Sequence, residues 1–128
     1  MQGSVRIVDG ILWVAYVGDY DPAAAHEMAR ETRDAVLGHS GTLMSCADLN
    51  RLGKTDNLAR KILSEYMRSY EHRILRTAAY CSNVRIRVLA KVVGIMARRK
   101  HFRVFETEEQ ALQWLQSERA AMGQHAHR

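Results

Sequence analysis

The sequence contains little cysteine and no long hydrophobic run. Its two cysteines, Cys46 and Cys81, are far apart and form no CxxC motif, which excludes a disulfide scaffold and leaves no zinc-binding signature. No stretch approaches the roughly 18 uncharged apolar residues that a membrane-spanning helix needs, and the N-terminal residues lack a basic segment followed by an apolar one. We therefore expect a cytoplasmic protein with two buried thiols and no membrane span.

Acidic residues are absent from one long segment of this basic chain. The chain has a net charge of +5 at pH 7, and residues 82–103 contain basic side chains but no acidic ones. The candidate basic surface consists of Arg85, Arg87, Lys91, Arg98, Arg99 and Lys100, with Arg103 beyond it. Such a surface can bind an anionic partner, although basic stretches more often form a solvated face or complement a helix dipole. Nucleic acid is disfavoured as that partner, because the segment lacks interleaved aromatic residues and any helix-turn-helix or RNP signature.

Motifs that indicate catalysis are also missing. The sequence has no P-loop, no GxGxxG or HExxH motif and no Ser-His-Asp arrangement, and its six histidines are dispersed. We therefore predict a protein that is not an enzyme and that has no catalytic residues, no metal site and no cofactor. Hydrophobic residues make up 47% and charged residues 26% of the chain, as in average globular proteins. This composition predicts one domain, at residues 1–122, followed by a flexible tail at 123–128.

Hydrophobic periodicity and turn residues predict five strands and four helices. The predicted strands lie near residues 3–8, 11–18, 42–48, 76–82 and 101–106. The predicted helices lie near residues 22–37, 56–71 and 83–99, and from 107 onward. Asp9-Gly10 favours a hairpin between the first two strands, and residues 49–54 are predicted to form a loop before the second helix.

The last two predicted helices each have an expected core face. In the third helix, the apolar residues expected to point inward are Val84, Val88, Leu89, Val92, Val93 and Met96. The fourth helix begins with Thr107 and Gln110, which match a capping box. Trp114 and Leu115 are expected to close the core from this last helix.

The predicted order β-β-α-β-α-β-α-β-α indicates an α/β fold. Alternating strands and helices favour a five-stranded mixed sheet that is mostly parallel, with an antiparallel first hairpin. Right-handed crossovers that step in one direction place the helices largely on one face of the sheet. The opposite face then needs a cover, because the segments ILWVAYV and TLMSCA carry apolar residues on both faces. A second subunit is one candidate cover, so we expect a homodimer.

Two sequence motifs resemble the SpoIIAA-like group of the anti-sigma-factor-antagonist (STAS) fold. The ending FRVFETEEQALQWL is similar to the R-V-F-x-x-x-x-x-A-x-x-W-L close of small bacterial SpoIIAA-like proteins, and Asp48 ends a strand where this group commonly has an acid before its functional loop. The resemblance covers residues 4–118. It implies the SpoIIAA-like fold and a non-enzymatic signalling module that binds another protein. The related architecture of CRAL-TRIO lipid carriers implies an alternative, a carrier or sensor of a small apolar or amphipathic ligand.

A candidate regulatory site follows this strand. Phosphorylated antagonists have an Asp-Ser-Ser/Thr-Gly turn at the start of the next helix, whereas this sequence has GKTDN, in which Thr55 lies near the matching place. A phosphate on Thr55 would meet the free N–H groups of a helix N-terminus, with Arg51, Lys54 and the strand-end Asp48 in the same segment. Thr55 is equally well explained as the N-cap of that helix, and the charge of Asp56 opposes a phosphate there.

Four aromatic residues form a candidate apolar pocket. Tyr66 and Tyr70 lie at helical spacing, and Trp13 and Tyr16 lie on the second strand. These side chains can line a pocket of the kind that a lipid carrier uses, or they can be ordinary core. Buried phenolic hydroxyls need hydrogen-bond partners, so the pocket is expected to contain some polar groups.

Overall fold

Five strands and four α-helices alternate in the computed structural model, which describes residues 2–96 and 101–126. The strands are β1 (Gly3–Val8), β2 (Ile11–Tyr20), β3 (Leu43–Thr55), β4 (Ile74–Tyr80) and β5 (Phe102–Phe105). The helices are α1 (Pro22–Gly38), α2 (Asn57–Tyr70), α3 (Val84–Met96) and α4 (Glu108–Ala126), and a short 3-10 helix covers Glu71–Arg73. The predicted order of the elements is confirmed.

The strands form one mixed sheet in the order β1-β2-β3-β4-β5. The first pair is antiparallel and the other three pairs are parallel, which confirms the predicted α/β class. The hairpin turn between β1 and β2 uses Asp9 and Gly10, whose φ angles are 53° and 74°. Positive φ at both central residues is typical of the tight turn that suits the twist of a hairpin.

The helices cover both faces of the sheet. Residues of α1, α2 and α3 pack against one face, as in the contacts of Met28, Leu63 and Ile86 with a common core cluster. Helix α4 packs against the other face, where the buried residues Ala111 and Leu115 contact the central strands. Because α4 follows β5 and does not connect two strands of this five-stranded sheet, the crossover rule does not fix its side. The face that we expected a second subunit to cover is thus covered by α4 over the central strands.

Strand β3 is longer than predicted, and the expected loop at 49–54 is wrong. The pairing of β2 with β3 continues past a register shift to Gly18–Leu52 and ends at Tyr20–Thr55. Asp19 holds this extension, because its Oδ1 accepts a hydrogen bond of 2.7 Å from the Lys54 amide. A Cβ on Gly53 would overlap this carboxylate. The glycine that suggested a loop is therefore what allows the two strands to approach each other.

The predicted inward face of α3 is partly wrong. Val84, Val88 and Val92 are 60%, 55% and 44% exposed, whereas Leu89 and Val93 are half-buried as expected. The side chain of Met96 lies outside the described residues.

Glycine packing determines which face of α3 points inward. A Cβ on the buried Gly94 would lie 2.7 Å from the Phe102 ring of β5, so this position needs a residue without a side chain. Only three of the 13 residues of α3 are charged, so its apolar residues surround the helix and periodicity alone does not select a face. Asn83 caps α3, since its Oδ1 accepts hydrogen bonds from the amides of Arg85 and Ile86.

The capping box at the start of α4 is confirmed. Thr107 Oγ1 accepts a 3.2 Å hydrogen bond from the Gln110 amide, and Gln110 Oε1 accepts one of 3.3 Å from the Thr107 amide. Leu115 is only 1% exposed, as expected for a core residue, whereas Trp114 is half-buried.

Helix α4 continues beyond the predicted start of the tail. It passes Gly123 and ends at Ala126, and residues 127 and 128 lie outside the described part of the chain. Across the described ranges, 2–96 and 101–126, none of the helices has both the length and the apolar composition that crossing a membrane requires.

Candidate functional site

An apolar cavity of about 110 Å³ lies between the sheet, α2 and α3. The sheet provides its floor, where the strand register places Val14, Ala47 and Ala79 side by side. All three face the same side, since residues in register on a sheet point in the same direction. The two alanines leave space that larger side chains would fill, so the cavity results from small residues on two neighbouring strands.

Helices α2 and α3 form the walls of this cavity. Leu63 and Met67 line it from α2, and Ile86, Ala90 and Val93 line it from α3. A largely apolar lining with a few polar groups is typical of sites for small ligands.

The polar part of the lining includes three side chains from the sheet and α1. Ser45 and Thr77 are buried, and Thr32 is 2% exposed. The hydroxyl of Thr32 donates a 2.8 Å hydrogen bond to the Met28 carbonyl of its own helix. This bond uses the single O–H donor of the Thr32 side chain.

Among the described residues that line the cavity, Arg60 is the one that carries a charge. It is half-buried, and its Nη1 donates hydrogen bonds of 2.7 and 2.8 Å to the carbonyl oxygen and the hydroxyl of Thr55. Its Nη2 donates to Oδ1 of Asn57. All three acceptors are neutral, and within residues 2–96 and 101–126 no carboxylate forms an ion pair with Arg60. The cavity therefore has an apolar interior and one cationic corner.

The structure brings together two of the four predicted pocket residues. Tyr16 and Tyr70 line the cavity. Trp13 does not, because it alternates with Leu12 and Val14 along β2 and belongs to the cluster on the α4 face. There, Arg6 lies 5.7 Å from its ring.

Tyr66 is also outside the cavity. It faces α1, where its hydroxyl lies 3.3 Å from His26 Nδ1 and the guanidinium of Arg33 lies 5.2 Å from its ring.

Sequence reasoning did not find Arg60, Ala47 or Ala79. The only signal for the alanines is the small residues of SCA and TAA, which carry no information about where the cavity opens.

The N-cap of α2 is Asp56 and not Thr55. Asp56 Oδ1 accepts a 2.7 Å hydrogen bond from the Ala59 amide, and Asp56 has the extended backbone of a cap residue. Thr55 is instead the last residue of β3, because the strand extends further than expected. Its hydroxyl accepts from Arg60 at the cavity wall. Thr55 stays a candidate phosphate acceptor.

Two of the predicted loop residues, Asp48 and Arg51, do not join Thr55 at the cavity. Asp48 is paired in register with Tyr80, which belongs to the cluster on the α4 face, and its Oδ1 accepts from the Asn50 amide at 2.9 Å. Arg51 is exposed and is not among the residues that line the cavity. The alternation of side chains along β3 separates Asp48 from the cavity.

Burial shifts the titration of two groups on the α4 face. Burial, together with smaller contributions from the carboxylates of Glu108 and Asp48, raises the pKa of the Cys46 thiol to about 12. The pKa of Tyr80 is also raised, first by burial and then by Asp48. Both groups are neutral at pH 7. In the described ranges, 2–96 and 101–126, no group of three or more His, Cys, Asp or Glu residues is placed to hold a metal ion.

The predicted basic surface is only partly described. Arg85 and Lys91 are exposed on α3, whereas Arg87 is half-buried and donates hydrogen bonds to the carbonyls of Cys81 and Ser82. Arg98, Arg99 and Lys100 lie outside the described residues.

The outer face of α3 carries an apolar stripe. We define the α3 stripe as Val84, Val88, Val92 and Ile95, of which Ile95 is 77% exposed. These positions share one face, because residues three or four apart are neighbours on a helix. The same helix thus lines the cavity on its inner side and presents exposed apolar side chains on its outer side.

Comparisons with known proteins agree with this fold. A family model described as SpoIIAA-like matches residues 11–116. An uncharacterised protein of Shewanella loihica PV-4 with a SpoIIAA-like fold has a TM-score of 0.68 and 16% identity, covering 88% of this chain and 91% of that one. The unphosphorylated anti-sigma factor antagonist SpoIIAA has a TM-score of 0.63 and 16% identity, covering 89% of this chain and 97% of its own. The comparison with curated proteins found no match.

Proposed function

We propose that this chain, which belongs to the SpoIIAA-like family, binds one small amphipathic molecule in the cavity between α2 and α3. The proposal rests on the cavity of about 110 Å³ and its apolar lining. It corresponds to the carrier or sensor function that is one of the two expectations from the sequence. It involves no chemical step, and the proposed compartment is the cytoplasm.

The energetic cost of an empty cavity supports this proposal. At about 24 cal/mol per Å³, a fully enclosed cavity of this volume costs roughly 2–3 kcal/mol of stability, and this partly open cavity costs less. An alkyl chain that enters the cavity regains contacts with the surrounding side chains and gains about 0.8 kcal/mol for each buried methylene. Binding thus stabilises the fold and offsets the cost of the missing side-chain volume.

A series of primary alcohols from hexanol to decanol tests this proposal by calorimetry. We expect one site per chain and an affinity that rises about fourfold for each methylene until the cavity is full. Ala90→Leu should abolish binding, because the new side chain occupies the cavity from α3. Ala120→Leu, an exposed position on α4, is the matched control and should bind normally. The absence of saturable binding by any alcohol, or unchanged binding by Ala90→Leu, would contradict the proposal.

Binding of a partner protein through the α3 stripe is a second candidate function. The stripe exposes four apolar side chains, and the charged residues of this helix, Arg85, Arg87 and Lys91, are all basic. The complementary partner is a protein with an apolar surface bordered by carboxylates. The resemblance of the fold to an anti-sigma factor antagonist supports an interaction of this kind.

A pair of variants with similar exposure tests the second candidate. Val88 on the stripe and Leu58 on α2 are 55% and 54% exposed. In a capture experiment, a partner protein that binds the stripe should be held by the wild type and by Leu58→Asp but not by Val88→Asp. Added salt should weaken its binding. A set of captured proteins that is the same for all three chains would rule out the stripe as a binding surface.

A homodimer is a separate part of the proposal. Its interface must lie away from the α3 stripe, because two copies meeting there would bring basic side chains together. Light scattering at micromolar concentration should give twice the mass of the chain. A strictly monomeric mass would remove the homodimer from the proposal.

A further inference from the structure

We infer that Arg60 makes the cavity selective for amphiphiles with an anionic head, such as an alkyl carboxylate. This inference rests on the proposed function, because it assigns the chemical class of the ligand for the same cavity. The alkyl chain would occupy the apolar interior, and the head would bind the guanidinium. The observations that carry it are the hydrogen bonds, the charge and the position of Arg60.

The guanidinium of Arg60 has donors left for a ligand. An arginine side chain has five N–H donors, and three of them are used on Thr55 and Asn57. These three bonds orient the planar group and leave one N–H on Nη2 and the N–H on Nε. Arginine binds a carboxylate with two parallel hydrogen bonds, which are shorter and stronger than bonds between neutral groups.

The charge of Arg60 is not neutralised within the described part of the chain. The neighbouring carboxylate of Asp56 accepts from the Ala59 amide as the cap of α2. Arg33–Asp34 and Arg76–Glu118 are ion pairs among the described residues, and neither involves this guanidinium. A half-buried cation without a counter-ion is incompletely solvated, so an anion placed beside it lowers its free energy.

Position then decides the orientation of the ligand. Arg60 and Thr55 line the same cavity as Leu63 and Ile86, so a polar head at Arg60 leaves the alkyl chain among apolar side chains. A neutral head such as an alcohol can accept one hydrogen bond from the guanidinium but does not compensate its charge. The structure therefore favours a carboxylate over an alcohol of the same chain length.

The test compares octanoate and octanol at pH 7 on three chains. The variants are Arg60→Gln, which removes the charge at the cavity, and Lys61→Gln, which removes the same charge from an exposed neighbour on α2. Thermal unfolding first confirms that both variants are folded. The measured quantity is the ratio of the octanoate affinity to the octanol affinity for each chain, by calorimetry.

We expect this ratio to fall at least tenfold in Arg60→Gln and to stay within twofold of the wild type in Lys61→Gln. An equal ratio in all three chains, with octanol still bound, would overturn the role of Arg60 and leave the proposed function standing. A wild type that binds neither ligand would overturn the proposed function itself, and the inference about Arg60 with it.

Discussion

Filling the cavity should make the protein more stable. Ala90 lines the cavity from α3, and replacing it with leucine adds three carbon atoms to the apolar space. The added burial is worth about 2.4 kcal/mol at roughly 0.8 kcal/mol per carbon, and ordering the leucine side chain costs about 0.5–1 kcal/mol. We therefore expect Ala90→Leu to raise the free energy of unfolding by about 1.5 kcal/mol.

Chemical denaturation is the assay for this prediction. The midpoint should rise while the slope against denaturant stays the same, since the amount of surface exposed on unfolding changes little. The melting temperature should rise by about 5 °C. Ala120→Leu places the same side chain on the exposed surface of α4 and should leave the midpoint nearly unchanged.

A lower midpoint for Ala90→Leu would refute this reasoning. In a closely packed core, added methylenes cause strain that costs typically 1–3 kcal/mol. A loss of stability of that size would mean that α3 packs closely on the sheet in solution and that there is no space beside Ala90.

Three other predictions follow from the caps, the core and the buried thiol. Asp56→Ala should lower the free energy of unfolding by about 0.5–2 kcal/mol, as measured by urea denaturation, because the Ala59 amide loses its acceptor. Leu115→Ala should lower it by about 2–5 kcal/mol, and Trp114→Ala by less, because Leu115 is fully buried and Trp114 is not. Because burial and, to a smaller extent, the nearby carboxylates raise the pKa of Cys46 from 9.0 to about 12, the folded state holds its proton more tightly than the unfolded state. Stability should therefore fall as the pH rises from about 9 to about 12, and this fall should be smaller in Cys46→Ala.

Local signals in the sequence predicted most of the fold. The hairpin at Asp9-Gly10 and the capping box at Thr107 depend on a few adjacent residues, and both are present as predicted. Strand β3 was predicted too short because Gly53 is normally a loop residue. Its role depends on Asp19 of the neighbouring strand, a contact that no local pattern contains.

The cavity was harder to predict than the fold. Aromatic residues were expected to form it, but Trp13 and Tyr66 lie elsewhere. The space arises because the register brings Ala47 and Ala79 together, and register is a property of the assembled sheet. Arg60 lies on a mostly polar helix surface in the sequence, and only the packing of α2 places it at the cavity wall.

Methyl NMR of the wild-type chain titrated with octanol tests most directly whether the cavity is the ligand site. The methyl groups of Ala79, Ile86 and Val93 line the cavity, and their resonances should shift together and saturate at one ligand per chain. The methyl groups of Leu115, on the opposite face of the sheet, should not shift. No change in the three cavity residues at saturating octanol, or changes confined to the exposed Val88, would contradict the binding of a ligand inside the fold.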